Sequence, residues 1–259
     1  FKQKTAYEIP LRLVGSEMCI RDSNIDTSKI LFLDIETVPQ VYRFQELNDT
    51  SKSLWSKKTK YLQEKDQLSA EEVYEKAGIY AEFGKIICIS VGFLIQAKGE
   101  MQIRLKSFSS MNEKKLLQGF IDLLNTHYNH NSYILCAHNG KEFDFPYISR
   151  RLLVNEMKLP ILLNNAGKKP WEINNIDTLE LWKFGDYKHY TSLELLTNIF
   201  NIPTPKDDID GSQVAKIFYE DQDIDRIINY CEKDVIATIQ LFQKYRGQDL
   251  IDPAFIIST

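Results

Sequence analysis

The segment "LFLDIET", Leu31 to Thr37, sets two carboxylates into an otherwise apolar, strand-forming run. Side chains of a strand alternate between faces, so Asp34 and Glu36 point the same way, about 6–7 Å apart. Leu31, Leu33 and Ile35 take the opposite face and favour a strand. Two like charges on one face of a half-buried strand repel each other, and desolvation adds to the cost. Either one carboxylate holds a proton or something positive sits between the two. A divalent cation is the strongest candidate, because hard cations take carboxylate oxygens. The plainer alternative is a strand that ends in solvent, with Thr37, Val38 and Pro39 as its turn.

The rest of the chain supplies partners for that strand. Ile86 to Ile95, "IICISVGFLI", reads as a second strand and Met101 to Phe108 as a third. Ala97-Lys98-Gly99-Glu100 between them predicts a hairpin. Asn112 opens a helix with Leu116, Leu117, Phe120, Ile121 and Leu124 at helical spacing. Tyr133 to Ala137 is a fourth strand, and Trp171 to Asp177 holds a short fifth. Further helices are expected near 145–155, 192–199, 212–220 and 223–244. This order predicts an α/β fold, a mixed sheet flanked by helices, within one domain.

Residues 42–81 read as an insertion into that domain, polar and with few apolar anchors. Ser69 followed by Glu72 matches a capping box. Lys52, Lys57, Lys58 and Lys60 surround Trp55 and Tyr61. Such a run is either a solvated face or a basic, aromatic surface suited to single-stranded nucleic acid.

The N-terminus stands apart. Phe1 to Ile9, "FKQKTAYEI", resembles the translation of a sequencing flow-cell adapter, and Leu13 to Ser23, "LVGSEMCIRDS", the transposase adapter that follows it. Residues 1–23 are therefore expected to be an adapter-derived artefact, with residues 24–259 a single native domain. Of the remaining cysteines, Cys88, Cys136 and Cys231 are far apart in sequence and each has apolar neighbours. They are expected to be reduced core thiols of a cytoplasmic protein, not a disulfide framework or zinc site. His127, His130, His138 and His189 show no ligand spacing with them. No apolar run is long enough to span a membrane. The net charge of −4 argues against a chain coated with basic residues, so any nucleic-acid contact falls to local patches.

Two further acidic positions join the first pair. Asp144 in "AHNGKEFDFPYISRRLL" follows the fourth strand, where open α/β sheets place their crevices; the alternative is a helix cap, with Pro146 in the first turn. In "IINYCEKDVIATIQLF", Ile224, Ile227, Ile228, Cys231, Val235, Ile239 and Phe242 form one apolar stripe. Tyr230 and Asp234 are four apart and share a face bordering that stripe; the alternative is a surface acid. Asp177 before Thr178, and Asp210-Gly211-Ser212, read as helix caps and turns.

Taken together these motifs resemble the DEDD superfamily of 3′–5′ exonucleases, whose fold is ribonuclease-H-like (DnaQ-like). Asp34-Ile35-Glu36 matches the family's D-x-E strand. Asn139, Phe143 and Asp144 match its second motif, and Tyr230 and Asp234 its Tyr-x-x-x-Asp helix. The tyrosine selects the tyrosine branch; the histidine branch would need His at Asn229. The resemblance runs from about Ile30 to Tyr245 and is nearest to stand-alone exonucleases related to the proofreading domain of family B DNA polymerases. "EFGKIICISVG" and "DIDGSQV" resemble segments of that group.

The resemblance implies two metal ions, Mg²⁺ with Mn²⁺ as a substitute. Asp34, Glu36 and Asp234 would hold the ion that activates water, and Asp34 and Asp144 the ion at the leaving 3′-oxygen. Tyr230 would orient or deprotonate the water. Thr37, Asn139 and Phe143 would contact substrate. The substrate implied is single-stranded DNA, cut to nucleoside 5′-monophosphates, with a repair or replication protein as a possible partner. An exoribonuclease of the same superfamily and a non-catalytic nucleic-acid-binding module are the rivals.

Overall fold

The computed structural model describes residues 25–186, 190–203 and 209–258. The adapter-like stretch, His189 and Asp208 lie outside them. Six strands form one sheet in the order β5-β4-β1-β2-β3-β6. They are β1 (Ile30–Pro39), β2 (Gly84–Ala97), β3 (Glu100–Ser109), β4 (Ile134–Ala137), β5 (Ile176–Asp177) and β6 (Ile256–Ser258). β1 pairs antiparallel with β2 and β2 with β3; β1–β4, β4–β5 and β3–β6 are parallel. The mixed sheet is as expected. β6 is an addition: three residues whose pairing comes from a distant edge, too short to carry a period-two signal.

The β2–β3 hairpin turns on Lys98 (φ 54°) and Gly99 (φ 87°). Two positive φ values in a two-residue loop match the right-handed twist of the flanking strands.

Both faces of β1 are covered. Leu31, Leu33 and Ile35 enter a core with α3 (Glu113–His127) and α4 (Asp144–Val154), through Leu117, Phe120, Phe145 and Ile148. Ile30 and Phe32 meet Val235, Ile239 and Phe242 of α8 (Ile224–Tyr245) on the other face. Phe32 and Phe242 pack edge to face at 5.4 Å; truncating a buried phenylalanine to alanine costs about 3–5 kcal/mol. The helix lies close on the sheet at Gly92, where an added Cβ would fall 2.8 Å from both Val235 Cγ1 and Ile239 Cδ1. The strand therefore does not end in solvent after Thr37. Thr37, Val38 and Pro39 stay in the ladder, opposite Ile86, Lys85 and Gly84.

A buried ion pair ties α3 to α4. Arg151 Nε and Nη2 donate to Glu113 Oε1 and Oε2 at 2.8 and 2.6 Å, and Glu113 Oε1 also accepts Ile86 N–H at 2.8 Å. Arg151 Nη1 donates to Ala81 O at 2.8 Å. Removing one member of so enclosed a pair leaves an uncompensated charge, at about 3–5 kcal/mol.

Residues 42–81 hold α1 (Asp49–Lys58), α2 (Lys60–Asp66) and a 3-10 helix over Glu72–Ile79. The Ser69/Glu72 capping box forms reciprocally, with Glu72 Oε2 accepting Ser69 N–H at 2.7 Å and Ser69 Oγ accepting Glu72 N–H at 3.2 Å. The segment has its own small core around Trp55, Val73, Tyr74 and Ala77. Trp55 is fully buried and its indole donates to Ala70 O at 2.7 Å. It cannot stack on a nucleic-acid base, so that use of the basic run is overturned for Trp55; Tyr61 stays exposed. The remaining helices are α5 (Thr178–Lys183), α6 (Leu193–Ile199) and the three-residue α7 (Val214–Lys216), which runs into a π-helical turn at Ile217–Asp221. Among the described residues no helix is long and apolar enough to cross a membrane.

Candidate active site

Strand alternation carries Asp34 and Glu36 onto the face that α8 covers. Their cross-strand partners on β2 are Ser90 and Cys88. The register slips between Glu36 and Thr37, with Ile87 as the extra residue. As a result Ile87 and Cys88 both face the cluster beneath α8. Such bulges bend a strand and re-aim its side chains. Glu36 is only 8% exposed, and its carboxylate accepts no hydrogen bond from any described residue. Ser90 is hydrogen-bonded to Ser107 at 2.8 Å, and Ser107 donates to Glu232 Oε1 at 2.7 Å, so a polar chain runs from under Asp34 back to α8.

Asp144 reaches the same place from the end of β4. Its helix is not capped by it: the N-cap position is Phe143, which makes no side-chain cap bond. The carboxylate lies instead where its own backbone and that of Ile35 favour its anion. β4 pairs with β1 only as far as Phe32, which leaves that edge of β1 open further along. The cap alternative for Asp144 is therefore overturned.

Asp177 organises the approach. Its carboxylate accepts N–H groups from Leu179 (2.9 Å), Asn139 (2.8 Å) and Lys141 (3.0 Å). The first is the expected helix cap; the other two pin the loop that leads to Asp144. Asn139 sits at φ 60°, a left-handed conformation that asparagine tolerates, and its carbonyl accepts from Glu142 and Phe143.

From α8, Cys231 Sγ lies 3.4 Å from Asp34 Oδ2 and 3.4 Å from Asp34 O. Ligand atoms of Asp34, Glu36 and Cys231 all fall within 4.8 Å of one another. Cys231 thus has a polar neighbour that its apolar sequence context hides. All three described cysteines are free and buried. Asp234 is one turn further along, and its charge reaches Asp34, Glu36 and Asp144.

The electrostatics follow from this crowding. Burial pushes the Asp34 carboxyl well above the usual carboxylate range, and the charges of Asp144, Asp234 and Glu36 push it further. Burial does the same to Glu36, with Asp234, Cys88 and Asp144 adding to it. Asp144 is raised to about 7, by burial first and then by Asp177 and Asp234, against the backbone bonds that favour its anion. Every described group that acts on Glu36 disfavours its charge.

The structure therefore brings Asp34, Glu36, Asp144 and Asp234 together, with Tyr230 half-buried on the same helix and packed against the cluster below. The other three candidates have different surroundings. Thr37 lies near the Tyr147 phenol, on the α4 side of the sheet, and that phenol donates to Gly78 O at 2.7 Å. Phe143 packs on Tyr147 with ring centroids 5.3 Å apart. Asn139 contributes backbone groups to the Asp177 network. Asp210 is the expected turn, its carboxylate accepting Ser212 N–H at 2.8 Å. Asp177 and Cys231 are neighbours of the acids that the sequence marks only as a helix cap and a core thiol. Asp177 carries a cap signature only, because its other two partners come from a loop nearly forty residues upstream.

Comparison with known proteins bears on the family and the fold. A family described as predicted 3′–5′ exonuclease related to the exonuclease domain of PolB matches residues 79–250. The match begins after β1, so the strand bearing Asp34 and Glu36 lies outside it. The family B DNA polymerase of the hyperthermophilic archaeon Pyrobaculum calidifontis superposes with a TM-score of 0.51 at 14% identity, over 83% of this chain and 24% of the polymerase. At that identity the likeness is one of fold, and the chain spans about a quarter of the polymerase's length.

Proposed function

Since the chain belongs to the family of predicted 3′–5′ exonucleases related to the PolB exonuclease domain, we propose that it is a divalent-metal-dependent nuclease that removes nucleotides from the 3′ end of single-stranded DNA and releases nucleoside 5′-monophosphates. The observation that carries this reading is the convergence of Asp34, Asp144 and Asp234 on Glu36, a buried glutamate with no hydrogen-bond partner among the described residues. Buried carboxylates are ordinarily paired, protonated or bound to a cation. Here they raise one another's affinity for a proton, and the same field attracts a cation.

The donor set is all hard oxygen apart from Cys231, which suits Mg²⁺, with Mn²⁺ as a substitute. Asp34, Glu36 and Asp234 would hold one ion; Asp34 and Asp144 the other. Bound there, a pair of ions supplies a water acidic enough to attack at neutral pH and a counter-charge for the leaving 3′-oxygen. The protein's own part is to place acceptors and exclude competing partners. Asp177 fixes the loop before Asp144. Cys231 donates its S–H to Asp34 and orients that carboxylate. Tyr230, one turn before Asp234, offers a phenol oxygen that positions the attacking water or takes its proton.

The relation to a polymerase exonuclease domain favours DNA over RNA and a repair or replication protein as partner. Three free, buried thiols suit a reducing compartment such as the cytoplasm. The test is direct. Purified protein is incubated with Mg²⁺ and with DNA and RNA strands labelled at either end. The reading requires stepwise shortening from the 3′ end with 5′-mononucleotides as product. A folded protein that released none in either Mg²⁺ or Mn²⁺ would refute it.

A further inference from the structure

Tyr190 is a large exposed aromatic within reach of the charges of the carboxylates. It is 67% exposed, and among the described residues its ring meets no other aromatic and its hydroxyl no hydrogen-bond partner. The backbone next to it is nevertheless anchored. Thr191 O accepts from His138 Nε2 at 3.1 Å, and His138 Nδ1 lies 2.9 Å from Thr178 Oγ1. One donating nitrogen and one accepting nitrogen satisfy both contacts with a neutral imidazole. His138 follows directly on β4 and precedes Asn139, whose N–H is held by Asp177. The residue before Thr191 is thereby tied to the end of β4, from which the chain leads on to Asp144. The phenol senses the acids: partial burial, and after it Asp177, Asp144 and Asp234, hold it above its ordinary value.

We propose that Tyr190 is the stacking platform for the base at the 3′ end of a bound strand. An aromatic face exposed to water beside a cluster of anions gains little where it stands, and among the described residues it has no ring or hydrogen-bond partner. Every nucleobase offers a π-face, so stacking recognises an end without reading its sequence. A base resting on Tyr190 would leave the last phosphodiester over the carboxylates. The inference rests on the nuclease reading and adds to it the way in which an end is told from an interior nucleotide.

Binding of two 5′-labelled DNA strands, followed by fluorescence anisotropy in Mg²⁺, tests it. Both carry a hydrolysis-resistant 3′-terminal phosphorothioate linkage; one ends in an ordinary nucleotide and the other in an abasic residue. Wild-type protein is expected to bind the ordinary end about tenfold more tightly, in the range of one base–aromatic stack. Tyr190→Ala should erase that difference by weakening the ordinary strand alone. Tyr190→Phe and Tyr190→Trp should keep it. Phe184→Ala removes another exposed aromatic, at the end of α5, and should also keep it. Retained discrimination in Tyr190→Ala overturns the proposal. Loss in Tyr190→Phe also overturns it, since the hydroxyl and not the ring would then be the contact. Nucleotide release from ordinary strands is scored separately. A protein that discriminates the ends yet releases nothing fails the nuclease reading and keeps this one.

Discussion

Cys231 Sγ on α8 rests 3.4 Å from Asp34 Oδ2 on β1, across 197 residues of sequence. A thiol is a weak donor, so the contact orients the carboxylate more than it stabilises it. Cys231→Ala should therefore leave the fold intact and lower the rate of nucleotide release less than tenfold. Asp34→Ala removes the residue assigned to both ions and should cost at least about 10²-fold, the scale of one lost electrostatic stabiliser. Steady-state rates with circular dichroism on both proteins check this; a folded Asp34→Ala protein with near wild-type rate rules out the assignment.

Tyr230 and Asp234 separate by metal titration. Tyr230→Phe keeps every carboxylate, so the turnover rate should fall by about 10²–10⁴-fold with the Mg²⁺ requirement unchanged. Asp234→Asn weakens a ligand, so its half-saturating Mg²⁺ should rise as well. Equal Mg²⁺ curves for the two variants would remove the distinction between water-positioning and ligation.

Metal and pH should act on stability in opposite directions. Asp34, Glu36 and Asp144 are all raised in the folded chain, Asp144 from 3.8 to about 7. Between those values the folded state holds protons that the unfolded state has lost, so without metal stability falls as pH rises. In EDTA the melting temperature should decline on this account from about pH 4 to about pH 7, where Asp144 loses its proton. Mg²⁺ takes the place of the protons and should raise the melting temperature more at pH 8 than at pH 5. A larger Mg²⁺ effect at pH 5 has the wrong sign for this cluster.

Asp177→Asn tests the loop that carries Asp144. The amide retains one acceptor oxygen where three N–H groups now converge. Stranded buried donors cost about 1–3 kcal/mol in stability. Urea denaturation should show that loss, and the Mg²⁺ requirement should rise although no ligand has changed. A stability loss with unaltered Mg²⁺ response would confine Asp177 to the fold.

The elements legible in the sequence were those whose pattern is local. β1, β2 and β3 announce themselves by apolar runs, α8 by its stripe, and the acids by their spacing along them. α1 and α2 were not, because a single buried Trp55 anchors a polar stretch whose other contacts come from Tyr74, Tyr80 and Phe83. The polar setting of Cys231 was hidden for a related reason: its helical neighbours are apolar, and Asp34 comes from the sheet. The Glu113–Arg151 pair likewise joins two helices whose own sequences show only ordinary charged positions.

The close seat of α8 on β1 bears on the order in which the molecule comes into being. The carboxylates belong to residues 34, 36, 144 and 234, so the centre is closed by contacts of long sequence separation, the kind that form late and slowly. A chain growing on the ribosome has its first carboxylate pair long before the helix that covers it. Until α8 emerges and docks through Phe242 and Val235, the cluster has neither its roof nor its last acid. A product of synthesis that stops ahead of α8, or a fragment cut ahead of it, lacks that acid and is expected to be without the proposed nuclease activity.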